Sequence, residues 1–134
     1  MSRKNAREKA MTLLYQMEIS QSSAEEVLND FYENNEIKLS TEDIDYIKDC
    51  ILGIEKNLKV IDGYIEKYAQ GWKLNRIAKV DISIMRLAIY EMLNRKDVPN
   101  PVAVNEAIEL AKKYGTDNSA AFVNGILGKV IEEL

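Results

Sequence analysis

The stretch from Val80 to Leu93 constrains the fold more than any other part of the chain. Placed on a helix, Ile82, Ile84, Met85, Leu87, Ala88, Ile89, Met92 and Leu93 point in nearly every direction around the axis. A helix that is apolar all round has to be covered on all sides, so other elements must surround it. Only 2 prolines and 6 glycines interrupt the 134 residues, and strong helix formers fill most of what lies between them. The surrounding elements are therefore expected to be helices too. A chain of this length buries roughly two thirds of its unfolded surface, enough for a single domain spanning residues 1–134. Arg86 interrupts the apolar stretch and needs an acidic partner or a route to water; a structural salt bridge outweighs a ligand-binding role there.

Helical periodicity supplies the neighbours. Residues 3 to 19 read as a first helix, with Ala6, Ala10, Leu13 and Met17 on one stripe. The same turn of about 100° per residue sends Lys4, Arg7, Met11 and Tyr15 to the far side, an aromatic among cations unless another helix covers this face. Ser22 or Ser23 caps a second helix running to about Asn34, with Val27, Leu28 and Phe31 inward. Ser40 with Asp43 three residues on marks a third start, Leu39 being placed to pack on Ile44. Its stripe is Ile44, Ile47, Ile51, Ile54 and Leu58, beside which Cys50 reads as a buried, inert thiol. Gly63 interrupts a fourth stretch from Leu58 to Gln70, and Gly71 ends it. After the buried fifth helix, Asn100 caps a sixth with Pro101 at its first position, and Val104, Ala107, Ile108 and Ala111 face inward. Gly115 is expected to stop it in the left-handed conformation. Asp117 or Asn118 caps the last helix, whose stripe is Val123, Ile126, Leu127 and Val130. Phe122 lies at the edge of that stripe, where core aromatic and exposed stacking platform are equally compatible with the spacing.

Composition removes much chemistry. Histidine is absent and Cys50 is the single cysteine, which excludes a disulfide framework, a Cys/His zinc site and His-based catalytic pairs. No phosphate-loop, dinucleotide or zinc-protease motif occurs. The acidic pairs Glu25 and Glu26, Asp43 and Asp45, and Glu106 and Glu109 fall on exposed faces, where surface charge outweighs catalysis. No cofactor is expected. No apolar run approaches the roughly 18 residues of a membrane span, and a cytoplasmic location is expected.

Charge is distributed unevenly. The net −4 divides into +3 over residues 1 to 10, −8 over residues 11 to 50 and +1 over the rest. Cations in a helix's first turn oppose the macrodipole, so folding does not account for Arg3, Lys4 and Arg7, whereas a bound phosphate would. Two functional classes fit these residues: a nucleic-acid-binding module using the basic first turn, and a helical protein-docking scaffold without direct RNA contact.

Several longer strings carry a resemblance. Arg7-Glu8 and Leu14-Tyr15, Trp72, Val80-Asp81, Arg86-Leu87-Ala88-Ile89-Tyr90-Glu91, Asp97-Val98-Pro99, the run from Val104 to Gly115 and Phe122-Val123-Asn124-Gly125-Ile126-Leu127 are similar to the NusB family of transcription antitermination factors. The match spans the chain and is most specific from about residue 72 to 130. It implies an all-α bundle of about seven helices, arranged as two packed three-helix groups, with no enzymatic activity. It also implies that the chain acts with NusE, a ribosomal protein of the small subunit. Together they would bind the boxA element of nascent rRNA transcripts and help load an antitermination complex on RNA polymerase. In place of an arginine-dense family start, this chain has Arg3-Lys4-Asn5-Ala6-Arg7, and Asn118 stands where relatives often carry an acid.

The candidate RNA contacts are then Arg3, Lys4, Arg7 and Lys9 on phosphates, with Asn118, Ser119 and Phe122 as base or sugar contacts. Placing the two groups together borrows from the resemblance. An aromatic stacks only on an unpaired base, so single-stranded RNA is expected. Tyr15, Asp81 and Glu91 are the candidates for the protein partner, and a face with Met11 and Tyr15 also suits a homodimer.

Overall fold

A computed structural model describes residues 3–34 and 39–134, and every regular element among them is helical. They are α1 (Arg3–Ser20), α2 (Ala24–Asn34), α3 (Thr41–Lys56), α4 (Leu58–Tyr68), α5 (Lys79–Asn94), α6 (Asn100–Tyr114) and α7 (Ser119–Glu133), with one 3₁₀ turn, Leu74–Arg76, before α5. Helices α1, α2 and α3 pack on one another, as do α5, α6 and α7, and α5 joins the groups by packing also on α1 and α3. Helix α4 lies against α5 and α7.

The all-round apolar segment is the hub that its sequence requires. Every residue from Asp81 to Glu91 is buried, and one continuous core runs through all seven helices. Arg86 resolves its burial by charge: Nε and Nη2 donate to Asp62 at 2.8 and 2.9 Å, and Nη1 donates to Glu18 at 2.9 Å. Burial alone would favour the neutral guanidine, but these bonds and charges raise Arg86 above its ordinary value. Cys50 is fully buried and desolvation pushes its thiol up to about 12, so it is an unreactive core group.

Local signals set several helix ends. Ser40 Oγ accepts from the Asp43 N–H at 3.1 Å and starts α3. Ser23 and Glu26 form a reciprocal cap, Ser23 Oγ accepting from Glu26 N–H while the Glu26 carboxylate accepts from Ser23 N–H.

Other expectations are corrected. Helix α1 is buried on two sides, since Arg7 and Met11 lie inside with Ala6, Ala10, Leu13 and Leu14. The far face is therefore covered, and of its expected residues only Lys4 and Tyr15 reach solvent. Gly63 does not interrupt α4, which runs through it unbroken. Pro99, not Asn100, precedes the first turn of α6. Gly115 has φ −90° and an extended backbone, not the left-handed conformation; a side chain there would instead strike Ser119 and, at 2.7 Å, the Ala111 carbonyl. Asn118 holds the cap position of α7 without a side-chain hydrogen bond.

Candidate nucleic-acid interface

The basic first turn does not present a row of free cations. Arg3 pairs with Asp97 at 3.2 Å and lies 4.4 Å over the Tyr46 ring. Lys9 places its ammonium 5.5 Å over the Phe31 ring. Lys4 is exposed and lines a groove with Glu8, Glu106, Glu109 and Lys113. Lys113 is itself paired with Glu8 at 3.0 Å, so the groove carries both signs of charge.

Arg7 is turned inward, and its expected role on a phosphate is corrected. Its Nε and Nη2 donate to Glu91 at 3.0 and 2.9 Å, and Nη1 donates to Glu106 at 3.1 Å. Burial opposes the charge, yet the Glu91 bonds and the surrounding negative groups raise Arg7 above its ordinary value. The same geometry corrects Glu91. That carboxylate is 1% exposed and committed to Arg7, so it has nothing to offer a partner protein.

A second feature lies at the junction of three elements. After α4, Gln70 and Gly71 both take positive φ, 43° and 89°, and reverse the chain so that Trp72 stands out at 56% exposure. Its ring meets Phe122 of α7 edge-on, with centroids 6.4 Å apart and planes at 72°. Phe122 is half-buried, packed against the core and meeting Trp72. One side of the pair opens into a cleft of about 300 Å³ lined by Arg76, Asp81, Asn118 and Ser119. A second cleft lined by the same pair, of about 410 Å³, reaches Tyr68, Gln70 and Lys129.

Of the residues expected from sequence, the cleft brings together Asn118, Ser119 and Phe122. Ser119 is corrected as a direct contact: it is buried, and its Oγ accepts the Thr116 N–H at 2.9 Å to start α7. Asp81, assigned to the partner, lines this same cleft. It stands ten residues from Glu91 on α5, about 15 Å along the axis, so these two acids do not meet in one spot. Tyr15 remains exposed with Ile19 one turn on. Sequence reasoning missed Trp72 and Arg76 as site residues; the signal was an aromatic followed closely by Lys73 and Arg76. Among the described residues no cluster of His, Cys, Asp and Glu is arranged to hold a metal, and no helix is long and apolar enough to cross a membrane.

Comparison with known proteins identifies the fold and its lineage. The NusB family model matches residues 4–132. The transcription antitermination protein NusB of Acetivibrio thermocellus is 52% identical over 132 residues, covering 98% of this chain and 90% of that protein. Its counterpart from Clostridium novyi is 48% identical, covering 98% and 99%. The structure superposes on T. maritima NusB with a TM-score of 0.90 at 37% identity, covering 99% of this chain and 92% of that one. It also matches a chain in the crystal structure of antitermination factors NusB and NusE in complex with dsRNA, with a TM-score of 0.87 at 25% identity over 98% and 97% of the two chains. The chain therefore belongs to the NusB family, a non-enzymatic family of transcription antitermination factors.

Proposed function

We propose that this chain, together with the ribosomal protein NusE, binds the boxA element of nascent rRNA transcripts and helps load an antitermination complex on RNA polymerase. The observation that carries the reading is the Trp72–Phe122 pair beside Arg76, which forms no ion pair among the described residues. An exposed aromatic side chain next to an uncommitted cation suits an unstacked base and its phosphate. The likeness to a chain solved with NusE and dsRNA supports RNA and NusE as the ligand classes.

In this reading Lys4, Arg76, Lys9 and Arg3 meet phosphates, the last after releasing Asp97. Trp72 and Phe122 stack on bases, Asn118 supplies a polar edge, and Ser119 holds the start of α7 in place. The aromatic geometry favours single strands over duplex. Tyr15 and Ile19 form the apolar part of the partner surface, which a second copy of the chain would otherwise cover.

The test is RNA binding by this protein alone, by NusE alone and by their mixture, on a leader fragment and a scrambled control, single-stranded and paired. The mixture should bind the single-stranded leader tightest. RNA and partner should then strengthen each other by the same factor, on the usual scale of about 1 to 3 kcal/mol. Light scattering of each mixture separates a heterodimer from a homodimer. A leader affinity indifferent to salt would remove the phosphate contacts, since each contributes about −0.7 to the slope on single strands.

A further inference from the structure

The cleft beside Trp72 contains a carboxylate that the protein itself does not satisfy. Asp81 lies in the first turn of α5, is 7% exposed, and its Oδ1 has no hydrogen-bond partner among the described residues. Native folds rarely leave a desolvated carboxylate oxygen uncompensated. Arg76 lines the same cleft without pairing with Asp81, so the two opposite charges are held apart rather than spent on each other. The side chains of Trp72 and Phe122 supply the wall. The volume of about 300 Å³ is at the small end of ligand pockets and suits one planar group.

An ionised carboxylate is acceptor-only, with two oxygens side by side, and its best planar match is a pair of adjacent N–H donors. Among the four RNA bases only guanine presents such a pair, N1–H and the N2 amino group on its Watson–Crick edge. Adenine and cytosine each put one amino donor beside an acceptor nitrogen, which would face the carboxylate lone pairs. Uracil offers one imino donor between two carbonyls. Asn118 lines the same cleft and its amide is not spent on the helix cap, leaving an N–H for the guanine O6.

We propose that this cleft takes one unpaired guanine of a bound RNA strand, with its Watson–Crick edge on Asp81, its ring against Trp72 and Phe122, and a flanking phosphate on Arg76. The inference rests on the RNA reading above and goes beyond it by naming the base and the residue that reads it. Asp81 thereby becomes a specificity-determining group rather than a partner contact.

The experiment measures binding of the protein with NusE to a short oligouridine carrying one central guanosine, adenosine, cytidine, uridine or inosine. The guanosine strand should bind about tenfold or more tighter than the adenosine, cytidine and uridine strands, the scale of one bidentate base contact. Inosine, which keeps N1–H but lacks the N2 amine, should lose most of that preference without any change to the protein. Asp81→Asn replaces one acceptor by a donor at constant size and should erase the guanosine preference, while the adenosine strand should bind at least as tightly as before, because the amide matches an adjacent amino donor and ring acceptor and a negative charge beside the strand is removed. Equal binding of all strands by the unaltered protein overturns the base assignment while the RNA reading stands. So does an Asp81→Asn variant that keeps its guanosine preference but loses NusE in pull-down, which would place Asp81 in the protein interface. Failure to bind any of the strands or the leader takes down the RNA reading, and this inference with it.

Discussion

The Arg7 guanidinium and the Glu91 carboxylate, 84 positions apart in sequence, form a two-bonded ion pair at 3.0 and 2.9 Å between α1 and α5. Their side chains are 6% and 1% exposed. In such a place each charge is tolerated only because of the other.

Removing one partner should therefore cost far more than removing both. Arg7→Met strands the Glu91 charge, and Glu91→Leu strands Arg7 beside Glu106 alone. Each is expected to lose about 3–5 kcal/mol of stability. The double variant should recover a large part of that loss, which urea unfolding of all four proteins would show as a strong coupling. Strict additivity would mean that the two side chains do not share a desolvated site.

Two glycines on neighbouring helices should respond in opposite directions to alanine. A side chain at Gly53 would strike the Tyr90 ring, whose hydroxyl donates to Asp49 at 3.0 Å. Gly53→Ala should cost about 1–3 kcal/mol by displacing that ring from a packed core. Gly63 is mid-helix in α4 with nothing within 4 Å of the added carbon. Gly63→Ala should raise stability by about 0.5–1 kcal/mol. Melting temperatures of the two variants check the contrast, and equal shifts would contradict it.

What the sequence made legible was local. The Ser40 cap, the Ser23 cap, the buried fifth helix and the need of Arg86 for acids each follow from residues within a turn or two, where spacing alone settles the geometry. Arg7 failed for the same physical reason that Arg86 succeeded. A lone cation in an apolar run announces its burial, whereas a cation among Arg3, Lys4 and Lys9 reads as surface although its partner lies on α5. The Trp72 cleft was half visible: Asn118 and Phe122 are marked by the start of α7, but Trp72 and Arg76 reach them only because two positive-φ residues reverse the chain. Asp81 is marked by sequence only as a candidate partner contact, and nothing local reveals that its cleft is shared with Phe122.

Acid should loosen the corner where α1 meets the α5–α6 connection. The Arg95 hydrogen bonds, helped by Arg3, lower Asp97 from 3.8 to about 2. A carboxylate lowered on folding adds stability that is fully present above its unfolded value, and that contribution fades as pH falls from about 4 towards 2. Asp97 is 49% exposed, so solvent screening keeps the contribution below about 1 kcal/mol. Asp97→Asn should lower stability slightly at pH 7 and flatten the acid limb of the stability curve. A parallel offset at every pH would show that the ion pairs carry none of that limb.

Ser119 and Asn118 are adjacent, yet they should separate stability from RNA binding. Ser119→Ala removes the acceptor for the Thr116 N–H and should cost about 1 kcal/mol, the usual value of a lost cap. Its effect on RNA should be indirect and small, because the hydroxyl is turned inward. Asn118 makes no cap bond and faces the cleft that holds Asp81. Asn118→Asp should leave stability unchanged or slightly higher, since a carboxylate suits a helix start. It places a second negative charge beside the RNA, however, and a repulsion of about 1 kcal/mol at contact distance in water corresponds to a several-fold weaker complex. Raising the salt should narrow the gap between Asn118→Asp and the unaltered protein. An Asn118→Asp variant that binds the leader as tightly as the unaltered protein at low salt would mean that no phosphate approaches this end of α7, and the RNA path would have to leave the cleft.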